Sequence, residues 1–450
     1  MALTGVQIFK LLPKTNCKDC GVPTCLAFAM NLAAGKAELS QCPYVSEASK
    51  AQLSAAAAPP IRTVEFGPPG PLAARAGGET VLFRHEKTFF NRTVLAVRIR
   101  DDEPAGKADG KLARFKQLRY VRVGLELGAD AIALACASGD PGKFEALVRR
   151  ASAATDAPLI LMSGRPEAIG AALAHLKGKR PLLYAADAGN ADAMGALARE
   201  HGCPLAVRAD SLEGAAALTE KLAGTGLGDL VIDPGSRTAR RVLEDQVALR
   251  RLSIQKQVRS LGYPTIALPC EMTDDPMTEA MLASLMIPKY ASIVVLGDVR
   301  GETLFPLLLQ RLNIFTDPQR PMKTDEGVYE FGSPGPESPV LVTCNFSLTY
   351  FIVSNEIDSS RHPAFLLVLD TDGLSVLTAW AAGKFSGEQV AALVKKSGIG
   401  GKLQRKNLVL PGSLTTILGE VEDNIGEGWK VQLGPREASA IPGYLKQAFA

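Results

Sequence analysis

The chain has 450 residues, too many for one ordinary domain and enough for two or three. It is 46% hydrophobic and 22% charged, and 50 Lys plus Arg nearly balance 47 Asp plus Glu, so a net charge of +3 gives no reason to expect nucleic acid or an anionic membrane as partner. Apolar runs stay short of the ~18 residues a spanning helix needs, so no transmembrane segment is predicted.

The N-terminal stretch MALTGVQIFKLLPKTNC lacks the basic start, apolar core and small-residue cleavage site of a signal peptide, which predicts a cytoplasmic protein. Eight cysteines in such a chain point to metal ligation plus buried thiols, not to a disulfide framework. Val6–Leu12 carries apolar side chains at helical spacing, and Pro13 closes that element. Then come Cys17, Cys20, Cys25 and Cys42, spaced C-x2-C-x4-C-x16-C. Four thiolates from one short segment bind something soft, an iron–sulfur cluster or a structural zinc. Structural zinc usually takes two separated C-x2-C knuckles, a symmetry this spacing lacks, so a [4Fe–4S] cluster is the reading favoured. Gly21 permits a tight turn beside the sulfurs. LAFAMNLAAGK after Cys25 reads as a helix stopped at Gly35, with Leu26, Met30 and Ala33 on one side as an apolar cover. Cys42-Pro43 resembles the Cys-Pro that ends many ferredoxin cluster runs. Ala55–Ala58 with Pro59-Pro60 reads as a linker, giving a module over 1–58 and a linker over 59–79.

Residues 80–325 alternate strand and helix patterns. Buried strands are predicted at Thr93–Arg98, Ala131–Cys136, Leu159–Met162, Leu182–Ala185, Leu205–Val207, Leu230–Asp233, Thr265–Leu268 and Ser292–Leu296. Helical stretches such as Pro141–Ala154, Pro166–Leu176, Asn190–Glu200 and Leu212–Leu222 lie between them. Eight such units fit a (β/α)8 TIM barrel, with an open doubly wound sheet as the alternative. Catalytic groups on such a barrel follow the strand C-termini, where Asp187, Asp210, Asp233, Glu271 and Asp298 fall. They form no recognisable constellation and read as helix caps, so no catalytic residue is assigned. Gly224-Thr225-Gly226-Leu227-Gly228 ends a helix, the wrong order for a dinucleotide fingerprint. Cys136, Cys203 and Cys270 read as buried thiols, and His85, His175 and His201 have no ligand-like neighbours.

Gly332–Pro339 is rich in turn residues, and the pattern restarts over 326–450. Strands are predicted at Val340–Thr343, Phe365–Leu369, Leu408–Leu410 and Lys430–Leu433, with helices between and after them, as in a small open α/β (Rossmann-like) sheet. The strand tips read Thr343–Ser347, Asp370–Thr378, Pro411–Ser413 and Gly434–Ser439. Short hydroxyls and glycines opening helices either offer amides to a large amide-decorated or phosphate-bearing ligand or are simply N-caps. Cys344 reads as packed.

Asn16–Ser46, Thr343–Phe351, Asp370–Phe385 and Gly434–Ser439, set in this three-part order, resemble the large (gamma) subunits of the corrinoid iron–sulfur proteins of the reductive acetyl-CoA (Wood–Ljungdahl) pathway. The resemblance spans essentially the whole chain. It implies a [4Fe–4S] cluster on Cys17, Cys20, Cys25 and Cys42. It implies a cobalamin-type corrinoid held by Thr343, Asn345 and Thr349, by Thr371, Asp372, Gly373, Leu374, Ser375, Val376, Leu377 and Thr378, by Gly412, and by Gly434, Pro435, Arg436, Glu437, Ala438 and Ser439. Thr378 matches the position beside the lower cobalt face. The corrinoid is expected base-off with no protein His ligand: D-x-H-x-x-G is absent, and His362 reads as a surface loop. The family's cobalt takes a methyl group from a methyltetrahydrofolate methyltransferase and passes it to acetyl-CoA synthase, while the cluster re-reduces Co(II). The implied partners are a small subunit, making a heterodimer, and those two enzymes, and the barrel is a scaffold. The rival readings are a pterin-dependent barrel methyltransferase with a structural cluster, and a zinc-stabilised scaffold.

Overall fold

The computed structural model of the chain describes residues 5–33, 37, 39–46, 49–50, 53, 59–317 and 321–449. The helix stop expected at Gly35 and the Ala55–Ala58 linker lie outside the described residues. The structure divides into two units, Met1–Arg119 with Gly128–Phe315, and Tyr120–Leu127 with Thr316–Ala450.

In the first unit, α1 (Gly5–Leu11) stops ahead of Pro13, and α2 (Cys25–Ala33) follows the cysteine loop. Cys25, Phe28 and Ala29 share the inward face of α2 at helical spacing, and they pack with Ile8, Leu12, Cys42 and Val45 in an apolar cluster of their own. Leu26 and Met30 lie outside that cluster and are exposed. Residues 59–79 also depart from the expected linker. They carry an antiparallel hairpin, β1 (Val64–Phe66) and β2 (Ala74–Ala76), whose Val64 and Phe66 are fully buried in the barrel core. Arg62 N–H donates to Gly262 O and Gly67 N–H to Arg180 O, both just ahead of a barrel strand, so the hairpin plugs the N-terminal end of the barrel.

Barrel strand β3 (Val94–Arg100) leads to α3 (Ala105–Gln117). A hairpin of β4 (Tyr120–Arg122) and β5 (Leu125–Leu127) then leaves the pattern and groups with the second unit. There Gly124 lies against the Phe351 ring, and a Cβ on Gly124 would come within 2.6 Å of Phe351 Cζ. The remaining barrel elements are β6 (Ala131–Ala135), α4 (Pro141–Ala154), β7 (Leu159–Met162), α5 (Pro166–Leu173), β8 (Leu182–Ala186), α6 (Ala191–His201), β9 (Leu205–Arg208), α7 (Leu212–Gly224), β10 (Leu230–Asp233), α8 (Ala239–Ile254), β11 (Ile266–Ala267), α9 (Pro276–Met286), β12 (Ile293–Leu296) and α10 (Gly301–Ile314). The eight strands run parallel in the order β10-β9-β8-β7-β6-β3-β12-β11. A single bridge, Ile232 to Thr265, brings β10 back to β11 and nearly closes the ring. Asp140, Ser211, Thr238 and Asp275 accept backbone N–H bonds at the starts of α4, α7, α8 and α9, which fixes where those helices begin. No helix among the described residues is long and apolar enough to cross a membrane.

Burial pushes the Cys203 thiol up to about 11 and the Cys270 thiol up to about 12, against roughly 8.5 in an unfolded chain. The folded state therefore keeps these protons where the unfolded state releases them. Their contribution to stability is complete below about pH 8.5 and is lost as pH rises through 11 and 12. Thermal melting followed from pH 8 to 11 should show a progressive fall in Tm, and a flat profile would contradict this burial.

The second unit adds β13 (Gly327–Phe331), β14 (Val340–Cys344), α11 (Ser347–Ser360), β15 (Ala364–Leu369), α12 (Val376–Ala381), α13 (Gly387–Ser397), β16 (Lys406–Leu410), α14 (Leu418–Ile425), β17 (Trp429–Leu433) and α15 (Ile441–Ala448). The sheet order is β13-β15-β14-β16-β17, parallel except for the edge strand β13. Alternate strand residues serve two cores. Val342, Phe365 and Leu367 face α13 and α14, and Leu341, Leu366 and Val368 face α11 and α15.

Candidate functional site

From β14 the chain crosses to β15 on one side and later returns to β16 on the other. Open α/β sheets bind ligands at such a switch point, beyond the strand C-termini. A cavity of about 610 Å³ opens there. Thr343 of β14 and Thr349 of α11 form one wall, and Ser375, Val376 and Leu377 another. Gly434, Pro435, Arg436, Glu437 and Ala438 form the third, beside Pro411 and Ser413. This lining of hydroxyls, backbone and a few apolar side chains suits part of a large amide-decorated ligand.

Gly412 does not line the cavity. A Cβ there would sit 2.3 Å from Gly434 O, so the β16 and β17 tips approach backbone to backbone. Gly412 N–H donates to Pro435 O (3.2 Å), and Gly434 N–H donates to Leu410 O (2.8 Å). Asn345 likewise lies off the cavity, 1% exposed. Its Oδ1 accepts from Thr371 N (3.0 Å), Thr371 Oγ1 (2.9 Å) and Gly373 N (2.9 Å), and its Nδ2 donates to Asp370 Oδ1 (2.7 Å). Asp372 and Gly373 both adopt positive φ, +55° and +75°, a sharp reversal that needs such a tie. Lys384 pairs with the Asp372 carboxylate and holds it below the usual carboxylate range. Asn345, Thr371, Asp372 and Gly373 thus shape the loop that presents Ser375–Leu377. Leu374, Thr378 and Ser439 stand beside the cavity without lining it, and Thr378 Oγ1 lies 3.0 Å from Ser375 Oγ. Leu341, Val342, Val353, Val409, Leu410 and Ile441 complete the walls. As apolar core-pattern residues they carried no sign of this in the sequence.

His362 precedes β15, at the N-terminal end of the strands, whereas the cavity opens at their C-terminal ends. Its ring nitrogens lie 3.1 Å from Pro363 O and 3.0 Å from Phe449 O. Cys344 is fully buried, and burial pushes its thiol up.

In the N-terminal module, Lys14, Asn16, Lys18 and Gly21 all take positive φ, which coils the chain tightly around Cys17 and Cys20. Asn16 N–H points at Cys25 Sγ (3.4 Å), while Asn16 Oδ1 accepts from Cys25 N (2.8 Å). Cys25 and Cys42 are buried, Cys20 half-buried and Cys17 exposed. An Asp19 hydrogen bond raises the Tyr44 phenol, with smaller contributions from the Cys17 and Cys42 thiols. Among the described residues no three ligating side chains converge as a metal site. Two thiols on the coiled stretch, one at the start of α2 and one after it, with an amide already aimed at one sulfur, nevertheless have the chemistry of a cluster loop.

A family model described as CO dehydrogenase/acetyl-CoA synthase delta subunit matches residues 63–445, and an Fe-S cluster model matches residues 12–44. The corrinoid/iron-sulfur protein large subunit of Moorella thermoacetica is 46% identical, with 100% of both chains covered. The acetyl-CoA decarbonylase/synthase complex subunit gamma of Methanothermobacter thermautotrophicus is 36% identical, with 99% of each covered. The dihydropteroate synthase structure from Thermus thermophilus superposes with a TM-score of 0.36 at 16% identity, covering 56% of this chain and 97% of that one.

Proposed function

The chain belongs to the family of corrinoid/iron–sulfur protein large subunits, the gamma subunits of acetyl-CoA pathway complexes, and on that premise we propose that it is a methyl carrier with its own redox repair centre. A bound corrinoid supplies a reduced cobalt able to take a methyl group from methyltetrahydrofolate, through a methyltransferase, and to give it up to acetyl-CoA synthase. The chain's own part is to bind, orient and shield. Thr343 and Thr349, Ser375–Leu377 and Gly434–Ala438 would touch the cofactor. Asn345, Thr371, Asp372, Gly373 and Gly412 would act one layer back by fixing the loops. Among the described residues no histidine lines the cavity, and His362 sits at the N-terminal end of β15, away from the strand tips. The chain would therefore offer the cofactor hydroxyls, backbone and apolar side chains without an imidazole, and Thr378 would fill space beside it next to Ser375.

Cys17, Cys20, Cys25 and Cys42 would hold a [4Fe–4S] cluster that returns electrons to oxidised cobalt. A small subunit would complete the heterodimer. The observation that carries this reading is the switch-point cavity with its glycine and hydroxyl tips, in a chain that also opens on a four-cysteine segment. The pterin-dependent methyltransferase reading is not favoured, because the full-length relatives are named as corrinoid protein and complex subunits.

The test is an anaerobic UV–visible spectrum with metal analysis on the chain co-expressed with its small subunit. About four iron and one cobalt per complex, with bands that shift on reduction, are expected. Iron without cobalt would remove the methyl chemistry, and zinc in place of iron would remove the redox role.

A further inference from the structure

The charges on the floor of the barrel mouth close on one another. Arg237 is shared by Asp233 Oδ2 (2.9 Å) and Glu271 Oε2 (2.6 Å), and Tyr184 OH donates to the same Asp233 oxygen (2.5 Å). Asp233 and Glu271, expected as helix caps, belong instead to this bonded floor. The cysteine loop of the N-terminal module differs, because there the direction of the main-chain amides decides what the sulfurs meet. Several amides are taken up by oxygen. Gly21 N–H donates to Lys18 O (2.8 Å), Cys42 N–H to Leu39 O (3.2 Å) and Phe28 N–H to Thr24 O (3.0 Å), while Ala27 N–H donates to Thr24 Oγ1 (3.1 Å).

Asn16 N–H goes to a sulfur instead, Cys25 Sγ at 3.4 Å. Asn16 stands at φ +49°, in the left-handed region that asparagine tolerates better than most residues. The same residue meets Cys25 twice. Its Oδ1 accepts from Cys25 N–H (2.8 Å), the first amide of α2, which has no partner within the helix. The side chain thus clamps the start of α2, and the clamp keeps the Asn16 amide on the sulfur. Cys25 is buried, so its end of that bond is shielded from water. An N–H aimed at a thiolate stabilises added negative charge. On a cluster ligand this favours the reduced state and raises the potential.

We propose that Asn16 is a positioning residue for the cluster: its side chain ties down the start of α2, and its amide, so placed, hydrogen-bonds Cys25 and raises the reduction potential. This rests on the reading that Cys17, Cys20, Cys25 and Cys42 hold a [4Fe–4S] cluster. The test uses the full chain with its small subunit, grown on asparagine labelled with heavy nitrogen and reduced anaerobically with excess titanium(III) citrate. Residues 1–58 contain two asparagines, Asn16 and Asn31. Pulsed EPR of the reduced cluster should show a coupling to labelled nitrogen that persists in Asn31→Ala and disappears in Asn16→Gly. Glycine accepts the positive φ but has no Oδ1, so Asn16→Gly should keep its iron. EPR-monitored redox titration should then find its ratio of reduced to oxidised cluster about tenfold lower at a fixed potential, a fall of about 59 mV for one electron. If Asn16→Gly loses iron, the coupling in Asn31→Ala decides alone. A reduced cluster without that coupling, or an iron-replete Asn16→Gly at the parent's potential, would overturn the proposal and leave the cluster reading intact. A parent protein without iron would overturn both.

Discussion

Replacing Cys42 with alanine should strip the iron from this protein and abolish its reductive reactivation, while methyl transfer from freshly reduced protein persists. Cys42 is buried beside Cys25 in the small apolar cluster around Phe28 and Val45. On the proposed donor set of Cys17, Cys20, Cys25 and Cys42, no other group of ligating side chains among the described residues stands ready to replace a lost thiolate. The change removes only a sulfur from a module with its own core, and the barrel and the second unit have separate cores. Melting of the variant should therefore stay close to that of the parent above the transition of the module itself. Iron per chain should drop from about four to well under one. Recovery of activity after air exposure and an electron donor should disappear, and a single turnover from chemically reduced protein should survive. Equal loss of both activities would defeat the division of labour between module and carrier domain.

Asn345→Ala should have the second large effect, on cofactor retention. One carbonyl oxygen satisfies two backbone amides and a hydroxyl in a place where water cannot substitute, and the amide nitrogen ties down Asp370 as well. Leaving such buried groups unpaired costs roughly 1–3 kcal/mol each. The loop would relax to recover those bonds, and a ligand would then have to supply the ordering on binding. A loss of about a hundredfold in corrinoid affinity is expected, read as cobalt retained through gel filtration. Asn345→Asp separates positioning from mere size: it keeps the acceptor but sets a carboxylate against Asp370. It should release cofactor too, and more so as pH rises. Full retention of cobalt by Asn345→Ala would mean that the loop is shaped by something else.

The barrel was legible because each of its strands is a short apolar run buried on all sides, a pattern that needs no knowledge of its neighbours. Leu159–Met162 and Leu230–Asp233 fall where their side chains alone put them. The floor hairpin was not legible, because three-residue strands between glycines and prolines look like any loop. Edge strand β13 was missed because its residues are only half-buried and lack a continuous apolar run. At the site, the tips announced themselves by hydroxyls and glycines. Which of those residues face a cavity and which face a neighbouring loop depends on pairings across the fold. Asn345 reads the same in either role until Thr371 and Gly373 come to its side chain. The Tyr184, Asp233, Arg237 and Glu271 cluster was hidden for the same reason, being gathered from separate strands and loops.

The Tyr120–Leu127 hairpin makes the second unit discontinuous in sequence. The ribosome completes that hairpin long before the sheet it joins, so Phe351 must find a partner made almost the whole barrel earlier. A fragment beginning at residue 316 would lack the strand pair that packs Gly124 on Phe351, and would expose that ring to water. A single protease cut near residue 316 would likewise not separate this unit into one piece of chain. Any dissection of the protein into parts has to carry the hairpin along, grafted or permuted, with the C-terminal sheet.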